Sequence, residues 1–532
     1  MAERVVVGVG PVSEREVVAV ARHGIGVELG ADALAAIEAS RGIVEALAED
    51  AEPHYGISTG FGALATKHIP VERRALLQQS LIRSHAAGSG PEVEREVVRA
   101  MMLLRLSTLA TGRTGVRATT ARTLAALLDH GITPVVREFG SLGCSGDLAP
   151  LAHVALALLG EGQVHDPNGN IRPSAEVMAA FGIEPVRLAE KEGLALINGT
   201  DGMLGQLVLA LRDLDQLLRT ADITAAMSIE AMLGTARVFA ADLQALRPQP
   251  GQAVAAANMR ALLAHSPIVA SHAGPECTYV QDAYSMRCAP QVAGAARDTL
   301  AYARSVAGRE LAAAIDNPVV TLDGHVESNG NFHGAPIAYV LDFLAIPVAD
   351  LASMSERRTD RMLDVARSRG LSPFLADDPG LDSGHMIAQY TQAAVVSELK
   401  RLAVPASVDS IPSSAMQEDH VSMGWSAARK LRRAVDGLAR VLAIELLTAA
   451  RALDQRAPLE PGPAASAVVA ALRSGGVNER PGVNGHVEGR RAGVPGAGPD
   501  RFLAPEIEAA LALVRSGAAV AAANSVLDSP VM

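Results

Sequence analysis

Four short islands of the 532-residue chain combine glycine with side chains able to act on a substrate. Tyr55-Gly-Ile-Ser-Thr-Gly-Phe-Gly62 sets a phenol at the head of a glycine-rich turn. No Lys-Ser/Thr follows its Gly-x-Gly spacing, so it is not a phosphate-cradling loop. It reads either as a surface turn or as the seat of a general acid or base, the latter if neighbours lower the tyrosine pKa. Gly140-Ser-Leu-Gly-Cys-Ser-Gly-Asp-Leu-Ala-Pro150 offers three chemistries. Cys144 or Ser145 could be a nucleophile, although Gly143-Cys-Ser-Gly146 is not the Gly-x-Ser-x-Gly elbow. Alternatively, the Gly146 amide nitrogen attacks the Cys144 carbonyl, an approach that a residue without Cβ permits. Loss of water, including the Ser145 hydroxyl, then leaves a five-membered imidazolone with an exocyclic methylidene. That group is an electrophile of a kind no ordinary side chain supplies. Spacing alone does not choose among the three.

The third island, Gln281-Asp-Ala-Tyr-Ser-Met-Arg287, has Gln, Tyr and Arg at i, i+3 and i+6, roughly one face of a helix. Arg287 has the planar fork that grips a carboxylate through two hydrogen bonds. An exposed polar face is the competing reading. The fourth, Gln417-Glu-Asp-His-Val-Ser-Met423, precedes the longest apolar-periodic segment. Glu418 and Asp419 suit the positive end of a helix dipole. Adjacent Glu, Asp and His do not face one another on a helix, so a metal site is not expected.

These islands are far apart in sequence, so longer elements must gather them. The composition favours helices: 49% of residues are apolar but only 3% aromatic, which leaves Ala, Leu, Val, Ile and Met to build the core. Two β-like runs, Val5–Val9 and Ile25–Leu29, come first. Helical patterning then covers Ala31–Glu49, Glu94 to about Leu128, Leu194–Thr220, Pro336–Ser368 with a kink expected at Pro347, Val421–Arg456 and Ala504–Ala523. In the Val421–Arg456 segment Leu431, Val435, Leu438, Leu442 and Leu446 keep steps of three and four, and Val441, Ile444 and Leu447 widen the apolar surface. Such lengths predict a mainly α fold, an elongated bundle of long helices, with a small mixed N-terminal part. We divide it at residues 1–220 and 221–532. Ser474–Pro499, with eight glycines and three prolines, reads as an exposed loop, and His486 and Arg490-Arg491 as its solvated decoration. The net charge of −11 disfavours nucleic acid, and three cysteines fit a reducing cytoplasm rather than a disulfide framework. Neither a secretory leader nor an uninterrupted apolar span of membrane length is expected.

The islands, together with Ser84-His-Ala-Ala-Gly88, Leu196-Ile-Asn-Gly-Thr200, Asp316-Asn-Pro318 and Gly330-Asn-Phe-His333, resemble in order the motifs of the aromatic amino acid ammonia-lyases. The resemblance runs from about Val5 to Met532. It implies a fumarase/aspartase-like helical bundle and a methylidene-imidazolone formed from Cys144, Ser145 and Gly146, with no external cofactor and no metal. The family more often has Ala at 144, and ring formation needs only that residue's carbonyl. Met416 stands where many relatives have Asn, and Ser58 replaces a common Asn.

His85 and Glu418 would line the end of the pocket that takes the substrate ring. A carboxylate beside a benzene ring is left unpaired, whereas an imidazole N–H satisfies it. The resemblance therefore implies L-histidine as substrate and trans-urocanate plus ammonia as products, the first step of histidine degradation. Arg287 and Asn198 would hold the carboxylate. Tyr55 is the first choice for β-proton removal, with Glu418 as the rival. Tyr284 and Gln281 would order the site, and Phe332 would pack near the electrophile. The family further implies a homotetramer whose active sites each draw on three subunits. Competing readings are an aminomutase with the same electrophile, a Cys144-dependent hydrolase and a catalytically silent helical binding protein.

Overall fold

The computed structural model describes residues 4–50, 52–60, 62–64, 66–274, 277, 280–475 and 493–532. Tyr279 and most of the glycine-rich stretch 474–499, with His486, Arg490 and Arg491, lie outside the described residues.

The two early β-like runs pair as parallel strands, Arg4–Val7 with Gly26–Leu29, around the capped helix Glu14–His23. The expected helix from Glu94 to Leu128 is two helices, Arg95–Ala110 and Ala118–Asp129. Gly112 and Gly115 between them take left-handed φ of 66° and 69°, which ends the first helix and turns the chain. Likewise Leu194–Thr220 divides into Glu192–Ile197 and a longer helix from Asp201, and the break carries Asn198. The last segment breaks at Gly517 into Ala504–Ser516 and Ala518–Asn524.

Five long helices form the bundle: α1 (Asp201–Ala231), α2 (Ala289–Leu311), α3 (Ala335–Leu363), α4 (Met386–Leu402) and α5 (Gly424–Asp454). α1 is 31 residues long, hence about 46 Å at the usual rise. α3 packs against α1, α2, α4 and α5, and runs unbroken through Pro347. It contains an apolar 18-residue window of mean hydropathy 1.7, the one described helix long and apolar enough to cross a membrane; 61% of that window is buried within the protein. The breadth of apolar surface on α5 likewise serves the core, since Val441, Leu442, Ile444, Leu446 and Leu447 are all buried.

One carboxylate ties three of these helices together. Glu445 of α5, fully buried, accepts from Thr224 Oγ1 (2.8 Å) and Ser228 Oγ (2.8 Å) of α1, and from Ser355 Oγ (2.7 Å) and the Arg358 guanidinium (Nη2, 3.0 Å) of α3. Such a pair adds little over an apolar replacement of both partners, but breaking it strands a buried cation. Glu445→Ala should therefore lower the unfolding free energy by about 3–5 kcal/mol, measured by chemical denaturation.

Candidate active site

The loop that carries Ser145 is fastened on both sides. Gly146 pairs with Gly199 in a parallel bridge, and Asp147 N–H donates to the Gly199 carbonyl at 2.8 Å. Gly146 has φ of 80°, and a Cβ there would fall inside the Gly199 carbonyl, so only glycine fits. On the other side Ser422 Oγ donates to the Gly143 carbonyl at 3.0 Å and Met423 N–H to Leu142 at 2.9 Å, just ahead of α5. Ser141 Oγ accepts from Gly143 N–H (3.1 Å) and donates to Asp147 (3.0 Å). The other Asp147 oxygen accepts from Met203 N–H in the first turn of α1 (2.8 Å), where the helix dipole favours an anion. Burial nevertheless pushes Asp147 up to about 7, against these hydrogen bonds.

Beside this loop lies a cavity of about 450 Å³ lined by Tyr55, His85, Ser145, Asn198, Ser414 and Glu418, among others. Its size suits a small molecule. Tyr55 heads a turn in which Ser58 Oγ accepts from His54 N–H at 2.9 Å; that is the task of the serine standing in for asparagine. The Tyr55 phenol accepts from Gly62 N–H at 3.3 Å. Burial raises its pKa, and the Glu418 and Asp316 carboxylates add to the rise. The condition for a basic Tyr55, a pKa lowered by neighbours, is thus not met within one chain, because burial first and then two carboxylates raise it.

His85 ends the helix Val71–His85. Its Nδ1 is 3.0 Å from the Leu81 carbonyl, which can only accept, so Nδ1 carries the proton and Nε2 is the nitrogen left over. Burial lowers the His85 pKa, opposed by the Leu81 carbonyl and by Glu418. Asn198, at the break before α1, donates from Nδ2 to the Asn317 carbonyl at 2.8 Å. Beneath it run two buried ion pairs, Lys191–Asp316 and Arg105–Asp201. Glu418 accepts from Ser413 Oγ at 2.6 Å. Burial pushes the Cys144 thiol up to about 12, and the adjoining Glu418 carboxylate, which accepts from the thiol, adds to this. A thiol so held is a donor rather than a nucleophile, which counts against the hydrolase reading.

The other expected residues do not join this cavity. Tyr284 and Arg287 form a short helix at the far end of α1, where Met286 packs on Ile229 and Gly234, whereas Ser145 sits at the near end. Tyr284 is 70% exposed and Gln281 is exposed. The Arg287 guanidinium lies over the Tyr284 ring, 4.6 Å from its centre, and its buried Nε has no hydrogen-bond partner among the described residues. Phe332 is half-buried, two residues before Gly334, which packs on Met203 and Ser422 beside the loop. Reading by motif missed Lys67, Ser413 and Ser414. Lys67 is one of only four lysines and closely follows the first island, and that scarcity was the available signal. The two serines lie just outside the motif that contains Glu418.

Between the pKa of an unfolded aspartate, 3.8, and about 7, the folded protein keeps a proton on Asp147 that the unfolded chain has lost. This group therefore makes stability fall as pH rises through that window, by up to about 4 kcal/mol. Asp147→Asn should gain on the wild type by that order between pH 4 and 7, compared by denaturant unfolding at both pH values.

The sequence matches the family described as aromatic amino acid lyase over residues 12–474. It is 63% identical over 522 residues to the histidine ammonia-lyase of Streptomyces avermitilis, covering 98% of each chain. Against the histidine ammonia-lyase of Streptomyces griseus it is also 63% identical, over 524 residues and 98% of each. Among solved structures it resembles a tyrosine aminomutase from Streptomyces globisporus, with a TM-score of 0.90, 38% identity and full coverage of both chains. It also resembles the histidine ammonia-lyase of Trypanosoma cruzi, with a TM-score of 0.86, 36% identity, and 99% and 96% coverage.

Proposed function

The chain belongs to the aromatic amino acid lyase family and is a carbon–nitrogen lyase, and we propose that it removes ammonia from L-histidine without oxidation, giving trans-urocanate. The observation that carries the substrate is the pairing of His85 and Glu418 on one cavity with Ser145. A site built to hydrogen-bond a ring N–H rejects rings without one by several orders of magnitude.

Cys144, Ser145 and Gly146 would form the methylidene-imidazolone, and the loop suits them. Gly146 is held left-handed against Gly199 while anchors on α1 and just ahead of α5 keep the turn tight. Once formed, the group supplies an electrophile that makes the amine a competent leaving group. His85 and Glu418 hold the imidazole. Asn198, with one N–H spent on Asn317, keeps its second N–H and its oxygen for the substrate carboxylate or the imidazolone oxygen. Tyr55 takes the β-proton, with Glu418 as the alternative base. For Tyr55 to act, a cation must offset the burial and the anions that raise its pKa.

Arg287 is the natural source of that charge and of the carboxylate clamp. Within one chain it packs at the far end of α1, a helix about 46 Å long, whereas Ser145 sits at the near end, so it would be delivered by another copy. Gln281, Tyr284 and Phe332 complete the site. This reading makes the enzyme a homotetramer with shared sites, working in the cytoplasm.

Urocanate absorbs in the near ultraviolet where histidine does not. Purified protein should raise that absorbance with L-histidine and not with L-phenylalanine or L-tyrosine. Ser145→Ala should abolish the rise, while Cys144→Ala should keep turnover within about tenfold, since a methyl still leaves the backbone carbonyl for the ring. β-Amino acid product from tyrosine would instead mark an aminomutase. Shared sites have their own test. Ser145→Ala and Arg287→Ala should each be inactive alone, but co-expressed in one cell they should regain a substantial fraction of activity, because mixed oligomers contain sites with neither lesion.

A further inference from the structure

We propose that Ser413 is the positioning residue that fixes the Glu418 carboxylate for reading the substrate ring, through a closed left-handed turn that Met416 strains; this rests on the assignment of Glu418 to the ring. Ser413 and Glu418 exchange both backbone hydrogen bonds, Ser413 N–H to the Glu418 carbonyl at 3.0 Å and the reverse at 3.2 Å. The four residues between them are thereby closed into a loop, with Gln417 N–H donating to the Ser414 carbonyl at 3.1 Å. Across this closure the Ser413 hydroxyl donates to Glu418 Oε2 at 2.6 Å, the length of a hydroxyl–carboxylate bond.

A glutamate has three side-chain torsions, and a half-buried one facing a cavity has no packed wall to choose among its rotamers. The Ser413 hydroxyl supplies the choice. It occupies Oε2, and the ring N–H takes the acceptor capacity that Ser413 and the Cys144 thiol leave on the carboxylate. The turn is also braced against the opposite side of the cavity. A Cβ on Gly62 would lie 2.8 Å from Ser414 Oγ, and Gly62 is the residue whose amide holds the Tyr55 phenol. The segment that orients Glu418 thus abuts the segment that orients Tyr55.

The closure depends on three consecutive L-residues with left-handed φ: Ser414 at 50°, Ala415 at 52° and Met416 at 68°. Asparagine tolerates that region far better than methionine does. Met416 is two-thirds exposed, so its side chain gains no burial in return. A turn strained at its third residue holds Ser413 and Glu418 together less firmly than the same turn with asparagine.

The full-length enzyme is assayed for urocanate formation as wild type, Ser413→Ala, Ser413→Thr and Met416→Asn, with KM and kcat obtained separately. Ser413→Ala should raise KM for L-histidine about tenfold or more, with a smaller fall in kcat. Ser413→Thr, which keeps the hydroxyl, should restore KM to within about threefold of wild type, and Met416→Asn should lower it below the wild-type value. An unchanged KM in Ser413→Ala overturns the proposal, as does a loss in kcat alone that threonine does not rescue. A higher KM in Met416→Asn overturns the strained-turn part. A wild type inert toward L-histidine would overturn the substrate reading itself, an outcome separate from an active wild type indifferent to Ser413.

Discussion

The approach of Gly146 to Gly199 is the contact on which the rest of the site hangs. Two backbone segments meet with no side chain between them, so the loop carrying Ser145 lies directly on the break that precedes α1. That break exposes the first amide groups of α1, and Met203 N–H finds its acceptor in Asp147, the residue after Gly146. The same break holds Asn198, which reaches Asn317 and so ties in the segment around the buried Lys191–Asp316 pair. One interruption between two helices thus sets the loop, the amide side chain and the floor of the cavity.

The length of α1 imposes the opposite condition. Residues attached to its start and residues packed at its end cannot meet inside one chain, whatever the loops do. Ser145, Asn198 and the cavity belong to the start; Tyr284 and Arg287 belong to the end. Tyr284 is exposed with the Arg287 guanidinium stacked on it, and the buried Arg287 Nε is unpartnered among the described residues, which is what the proposed sharing of sites would draw on. Rigid helices make that division permanent within one chain, and the proposed sharing of sites between copies would reunite the two ends.

Much of this was legible in the residues. Glycine-bearing islands marked where the backbone leaves helical geometry, and Leu431 to Leu446 marked a core helix. The helix breaks at Gly112–Gly115 and at Asn198–Thr200 were not, because the apolar periodicity continues across both and only left-handed glycines or tertiary contacts stop the helix there. Ser413 was invisible for a different reason. Its importance comes from a turn closing on Glu418 five residues later, and serine-rich turns are ordinary in composition. The direction of the Tyr55 shift was also beyond sequence, since it depends on burial by the folded chain and, after that, on Glu418 and Asp316 arriving from distant segments.

Cys144 shows how a residue can be chemically suggestive and do something quieter. Its reactivity as a nucleophile would require a thiolate, and a thiolate would require nearby positive charge. The structure supplies burial and a carboxylate instead, which keep the proton on sulfur throughout the neutral range. A protonated thiol next to Glu418 is a weak donor, so the carboxylate is approached by Ser413 Oγ–H on one side and by Cys144 Sγ–H on another. Ring formation would draw only on the Cys144 carbonyl and leave its side chain attached. The thiol could therefore stay with Glu418 after the loop is processed, and the binding carboxylate and the electrophile would be coupled through the three covalent bonds from ring carbon to sulfur and one weak hydrogen bond. On this account alanine and cysteine at 144 are equivalent for making the electrophile and differ only in how firmly Glu418 is held.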